Sequence, residues 1–196
     1  GAAGKGGKIV RSAIRILLQN AKDKRVVSRL TTDLLKVVKT DATNERGLRT
    51  IQDGNMDLLQ GFEFNTNGKL GSTLFAPTAN TFNRVTGDAE VSIAPFAPKV
   101  RIAAPAGTTH FKMVTGVAEL DFANETSAFE SDETGILPYD NATTAAIDLL
   151  ATVTVSSTLP IIQVLGIEFY QEVNGQMYPL KNGSYNALSI VKVDTV

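Results

Sequence analysis

The sequence contains no cysteine and no tryptophan, and a single histidine, His110. Without cysteine there are no disulfides, no thiolate nucleophiles and no zinc–cysteine centres. With one histidine, a Ser-His-Asp relay has one possible base. His110 falls in THFKMV with Lys112 on the same strand parity, the setting of an ordinary strand-face histidine. No apolar run approaches the ~20 residues that a membrane-spanning helix needs, and no signal peptide is visible. A start at Gly1 rather than methionine is what a processed or trimmed chain gives.

What is present is enough apolar residue for a core: 43% of 196 residues. Charge is divided unevenly. Residues 1–60 carry 12 Lys+Arg and 6 Asp+Glu, a net of +6; residues 61–196 carry 7 and 14, a net of −7. A bipolar chain suits head-to-tail contact with another copy, or a basic end meeting an acidic partner.

The strongest strand pattern is IIQVLGIEFYQEVNGQMYPL, Ile161 to Leu180. Leu165, Ile167, Phe169 and Val173 share one parity; Glu168, Tyr170 and Glu172 share the other. That alternation predicts a half-buried strand. Asn174-Gly175 predicts a type I′ turn, and Pro179 a short or edge-lying return.

GAAGKGGK at the start reads as a flexible arm. A phosphate loop needs Ser or Thr after Gly-Lys and a strand before it; Gly7-Lys8 is followed by Ile9. From Lys8 the period becomes helical. Ile9, Val10, Ala13, Ile14, Leu17 and Leu18 form one stripe, and Val27, Leu30, Leu34, Val37 and Val38 a second, so two amphipathic helices are expected as a hairpin. Lys8, Arg11, Arg15, Lys22, Lys24, Arg25 and Arg29 line their polar side. No aromatic interleaves them for base stacking, so no nucleic-acid partner is expected. A short helix is expected around Leu48–Leu59. Asp53, Asn55 and Asp57 begin a calcium-loop pattern that fails at Leu58 and Phe64, leaving a capped turn.

After Gly61 the chain reads as short strands and turns: a hairpin in FEFNTNGKLGSTLF, a hairpin around Thr86-Gly87-Asp88, a strand in APFAPKVRIAAPAG and a parity break near Gly116 in THFKMVTGVAELDF. Ala123 to Asn141 reads as a solvated acidic loop with Glu125, Glu130, Asp132, Glu133 and Asp140, without metal-ligand spacing. TTAAIDLLATVTVSST is an alternating strand, expected beside the Ile161 strand. NALSIVKV is the last strand, with an edge able to pair in trans. Glu168 and Glu172 share a strand face four residues apart, about 13 Å, too far for a glycosidase pair. Tyr170, Tyr178 and Tyr185 could form a sugar platform or simple strand packing.

LLQNAKDKRVVSRLTTDLLKVVKTDATNERG, LLQGFEFN, APAGTTHFKMV and VLGIEFYQEVNGQMYPLKNGSYNALSIVKV resemble a family of uncharacterised bacterial proteins, over nearly the whole chain. The second part also resembles immunoglobulin-like or fibronectin-like sandwiches of bacterial surface proteins. The resemblance carries no activity and no site.

These readings predict an α+β protein: a basic helical hairpin over residues 1–60, then an immunoglobulin-like antiparallel β-sandwich over residues 61–196. The expected function is a non-enzymatic structural subunit that self-assembles as a filament, extracellular fibre or virion component. The alternative is a surface glycan- or protein-binding module. No cofactor, metal or catalytic residue is expected. The expected partner is another copy, met through the helical front and the edge strands, outside the cell, at its surface or in a virion. The expected interface residues are Ile9, Arg11, Ile14, Arg15, Leu18, Arg25, Arg29, Glu130, Asp132, Glu133, Ile190 and Val191.

Overall fold

The strand predicted from Ile161 is the centre of the molecule. A computed structural model describes all residues, Gly1–Val196, and places β7 (Ile161–Val173) in the middle of a six-stranded sheet. β3 (His110–Asp121) pairs with one edge of β7. β9 (Ala187–Asp194) and the short β8 (Gln176–Pro179) share the other edge, end to end. β4 (Thr126–Glu133) and β5 (Leu137–Pro138) pair with β3. A three-stranded sheet, β1 (Ala79–Asn83), β2 (Asp88–Ile93) and β6 (Ile147–Thr152), lies on one face of the larger one. Every pairing is antiparallel.

The helices cover the other face. α1 (Ala2–Ala13), the one-turn α2 (Arg15–Leu18) and α3 (Val26–Lys39) pack on the sheet rather than standing apart. One core cluster contains Val10, Ile14, Leu30 and Leu34 together with Val114, Ala118, Ile162, Val164 and Ile190. The helices therefore have no core separate from that of the strands. A second cluster joins Phe111, Met113, Leu165, Ile167 and Phe169 to Val91, Ile93 and Leu149 between the sheets. So β7 is buried on both faces as far as Phe169, not half-buried. Its two parities face two different cores.

The same fact explains the apparent parity break near Gly116. β3 runs unbroken from His110 to Asp121, with odd positions toward the small sheet and even ones toward the helices. Gly116 leaves room for a neighbour, because a Cβ there would collide with the Phe129 ring. The predicted flexible arm is a helix for a related reason. A Cβ at Gly6 would meet the Cδ1 end of Ile51, so Gly6 permits a close approach, whereas Gly7 faces Thr31 and Leu34 with room for a methyl.

Further differences have local causes. The stretch from Phe62 to Phe75 forms no hairpin: Phe62 and Phe64 turn into the helix-side core, and Leu70–Ser72 makes a single 3-10 turn. Pro98 starts a one-turn helix, α4 (Pro98–Arg101), where a strand was expected, as proline suits a first helical turn. The helix expected around Leu48–Leu59 shrinks to a 3-10 turn, Met56–Leu59, capped by Asn55, which accepts from the Asp57 N–H. The acidic loop contains β4, an exposed edge strand whose polar sequence hides its pairing with β3. β6 lies beside β2, not beside β7.

The hairpin at Asn174-Gly175 forms as predicted, with both residues at positive φ (51° and 78°). The β1–β2 hairpin, β6 and β9 also match their patterns. The outer edge of β9 is not open to a second copy. Gly61 N–H donates to the Ile190 carbonyl at 2.7 Å, Ile190 N–H to Phe62 at 2.9 Å and Phe64 N–H to Leu188 at 2.8 Å.

Candidate functional site

Helix α1 and the turn after it hold Lys5, Lys8, Arg11 and Arg15 and no acidic residue. Lys8, Arg11 and Arg15 recur at i, i+3 and i+7, which aligns them on one helix face. The inner face is fixed by Val10, Ile14 and Leu17 in the core, so the basic row points outward. None of Lys5, Lys8, Arg11, Arg15, Lys22, Lys24 and Arg25 forms an ion pair within the chain. Ile16, beside Arg15, is 62% exposed, and Val27 and Leu35 of α3 are also exposed. The surface is cationic with scattered exposed apolar side chains.

Arg29 does not belong to it. Its guanidinium pairs with Asp23 at 2.6 Å, donates to the Glu63 carbonyl at 2.8 Å and lies 5.1 Å from the centre of the Phe62 ring. Asp23 also accepts from the Thr66 N–H and hydroxyl. Burial alone would raise the Asp23 carboxyl. Hydrogen bonds from Thr66, Arg25 and Arg29 outweigh it and hold the pKa below the ordinary value. Arg29 thus clamps α3 to the strand-like segment that covers β9.

Four expected interface residues are core residues. Ile9, Ile14, Leu18 and Ile190 are buried, Ile14 and Ile190 with no exposed surface at all. Their apolar stripes are consumed by the sheet, so they have nothing to offer a second copy. Val191 is half-buried against the core between the sheets.

Of the expected acidic residues, Asp132 and Glu133 border an open corner of the sandwich, where β4 and β6 are both sheet edges. A groove of about 420 Å³ lies between Asp132–Pro138 and Ala142–Leu149, with Asp132, Glu133, Asp140 and Asp148 among its lining residues and Leu137 and Ile147 as apolar surface. Glu130 is exposed on β4 and has no ion pair. Asp132 accepts the Leu150 N–H from β6 at 3.0 Å. Glu133 reaches Lys112 at 3.1 Å. The corner is anionic, and the helical surface is cationic.

His110 lies beside Thr109 and Glu172. Its Nδ1 is 2.9 Å from the Thr109 hydroxyl, but Nε2 is 3.7 Å from Glu172, beyond hydrogen-bond reach. No cluster of His, Cys, Asp or Glu is placed to hold a metal ion. Asp53 instead accepts from Asn44 and Thr50. No helix is long and apolar enough to cross a membrane.

Sequence reasoning missed the pairing of Lys112 with Glu168, residues opposite each other on β3 and β7, with Nζ and Oε1 3.7 Å apart. Burial pulls the Lys112 pKa down, but Glu133 and Glu168 outweigh it and hold it above the ordinary lysine value. Only the β3–β7 register could have shown this pairing, and that register is not written in either strand alone.

The sequence matches no protein-family model and no curated protein. Among solved structures, the human F-spondin reeler domain aligns over 64% of this chain and 99% of its own length, at 11% identity and a TM-score of 0.20, a likeness too slight to carry fold or function.

Proposed function

We propose that the protein is a non-enzymatic structural subunit that assembles with copies of itself, as a filament, extracellular fibre or virion component. The observation that supports this is electrostatic: a basic helix face with no ion pair inside the chain, and an anionic corner at β4, the edge strand beside α1, with which the basic row also forms no ion pair. Complementary charges left unpaired within one copy favour a heterologous, head-to-tail contact, which extends unless it closes into a ring. The contact we assign joins Lys8, Arg11, Arg15 and Arg25 of one copy to Glu130 and the acidic groove of the next. Two opposed antiparallel sheets support an immunoglobulin-like reading of the sandwich, and α1 beside α3 a helical-hairpin reading of the front. We place the protein outside the cell, at its surface or in a virion. Electron microscopy across a salt series tests assembly; particles that remain monomeric at high protein concentration and low salt oppose it.

A second reading, a surface glycan- or protein-binding module, is favoured by one observation. Near the β8 end of the sandwich, Tyr178 and Tyr185 are exposed, and Lys181 lies 5.1 Å from the Tyr185 ring centre. This module would remain monomeric and gain thermal stability from its ligand.

A further inference from the structure

Beyond the C-terminus of α2, the helix-facing side of β3 and β7 ends in a polar cavity of about 310 Å³. Asn20, Lys112, Glu168, Tyr170, Asn182 and Asn186 are among its lining residues. The Glu168 side chain is 7% exposed. Its carboxylate accepts the Tyr170 hydroxyl at 3.1 Å, sits 3.7 Å from Lys112 Nζ, and has the Asn20 amide at 3.5 Å. Asn186 fixes the wall: its Nδ2 donates to the Asn20 carbonyl at 2.9 Å and its Oδ1 accepts the Phe169 N–H at 2.8 Å.

The loop bordering this cavity is strained. Lys181, Asn182 and Gly183 have φ of 48°, 55° and 79°, three successive residues in the left-handed region. Of the three, Lys181 carries a side chain that disfavours it, whereas asparagine and glycine tolerate it. A Cβ on Gly183 would press on the Asn20 carbonyl and the Asn186 amide, so the tight approach of loop to wall requires glycine. Strain of this kind concentrates at ligand sites and turns. Here it places Asn182 in the cavity lining.

The charges select the class of ligand. Lys112 is already flanked by Glu133 and Glu168, at 3.1 and 3.7 Å, so an incoming anion meets two carboxylates. A cation meets a seated ammonium. A neutral molecule with adjacent hydroxyls can pair with Asn182, whose exposed side chain makes no hydrogen bond within the chain, and can donate to the remaining lone pairs of the Glu168 carboxylate. The volume is at the small end of ligand pockets, which run from about 300 Å³.

We propose that this cavity binds one unit of a neutral, hydroxyl-rich ligand, a monosaccharide, free or at the end of a glycan. The proposal rests on the second reading above and places its ligand in this cavity rather than at Tyr178 and Tyr185. Sugar binding that both cavity variants below leave unchanged contradicts this site alone; no sugar binding contradicts the site and the glycan reading together.

Saturation-transfer NMR with methyl glycosides of glucose, galactose, mannose and N-acetylglucosamine, each at about 10 mM, reads millimolar affinity directly. Transfer to at least one glycoside is expected, with the matching disaccharide separating a glycan end, which retains binding, from a free sugar, which alone binds. Glu168→Gln should weaken that binding about tenfold, as loss of a charged acceptor does. Tyr170→Phe, which keeps the ring and removes only the hydroxyl, should weaken it less and guards against misfolding of the first variant. No transfer to any glycoside, or transfer unchanged in both variants, overturns the proposal, as does preferential binding of a sugar phosphate.

Discussion

Asp132 on β4 accepts the Leu150 N–H of β6 at 3.0 Å, so a side chain takes the place of a missing strand at the corner where two sheet edges face each other. Unpaired edges invite uncontrolled pairing, and an inward-turned charge is one of the ways proteins blunt them. Asp132→Ala should leave the Leu150 amide without its partner and lower stability by about 1–2 kcal/mol, reduced from a buried charged bond because the site is half-exposed. Hydrogen exchange at Leu150 should quicken in the variant. An amide exchanging at the wild-type rate would show that the carboxylate does not guard the edge.

Arg29 is the strongest single tie between α3 and the segment covering β9. Arg29→Ala removes the Asp23 pair, the bond to the Glu63 carbonyl and the contact with Phe62 together. It leaves the Asp23 side chain 5% exposed and missing its cation. A loss of about 2–3 kcal/mol is expected, by the cost of stripping a partner from a largely buried charge. Denaturant midpoints measure it; a loss under about 0.5 kcal/mol would place Arg29 among ordinary surface residues.

Gly6 tests the correction to the N-terminal reading. In a flexible arm, Gly6→Ala would be neutral or slightly stabilising. In the packed helix, the added methyl meets only the Cδ1 end of Ile51, which can shift, and alanine's helix preference of about 1 kcal/mol offsets the crowding. Gly6→Leu is the sharper test: it should cost about 1–3 kcal/mol in the packed helix and almost nothing in a flexible arm, as read by thermal unfolding.

The legible parts of the sequence were those with one buried face or a defined turn. β6 alternates because one side is exposed, and Asn174-Gly175 announced its hairpin through turn chemistry. The residues of β3 and β7 were harder to read because helices cover one side and strands the other, which erases alternation. Glycine misled twice, at Gly6 and Gly116, because sequence cannot tell a glycine that bends the chain from one that lets a neighbour approach. β4 was hidden by its polarity: as an exposed edge it needs few apolar residues. The basic row was fully visible as composition. That Ile9, Ile14, Leu18 and Ile190 would be consumed by the chain's own core followed only from the packing of helix on sheet.

Stability should fall at both ends of the pH scale, for different reasons. The Asp41 carboxyl is held down to about 2 by the Asn44 side chain, against burial, with the Thr50, Asn44 and Thr43 N–H groups adding to it. Asp23 is lowered as well. Both are more acidic folded than unfolded, so their contribution is complete above pH ~4 and is lost as the pH falls toward ~2. Lys112 has the opposite sign. Its folded pKa lies above the ordinary 10.5, so its contribution is complete below that value and is lost as pH rises through the folded one. Unfolding free energy measured from pH 2 to 11 should show an acid limb that Asp41→Asn flattens. An acid limb identical in that variant would remove Asp41 from the account.

The central claim is that the basic helix face meets the acidic corner of another copy. Sedimentation velocity of the wild type and of the Arg11→Glu/Arg15→Glu variant, each at low and high salt, tests it directly, since neither arginine makes an ion pair inside the chain. The account predicts wild-type assemblies that shrink as salt screens the contact, and a folded variant that stays monomeric under both conditions. A monomeric wild type, or a variant that assembles as the wild type does, would contradict it.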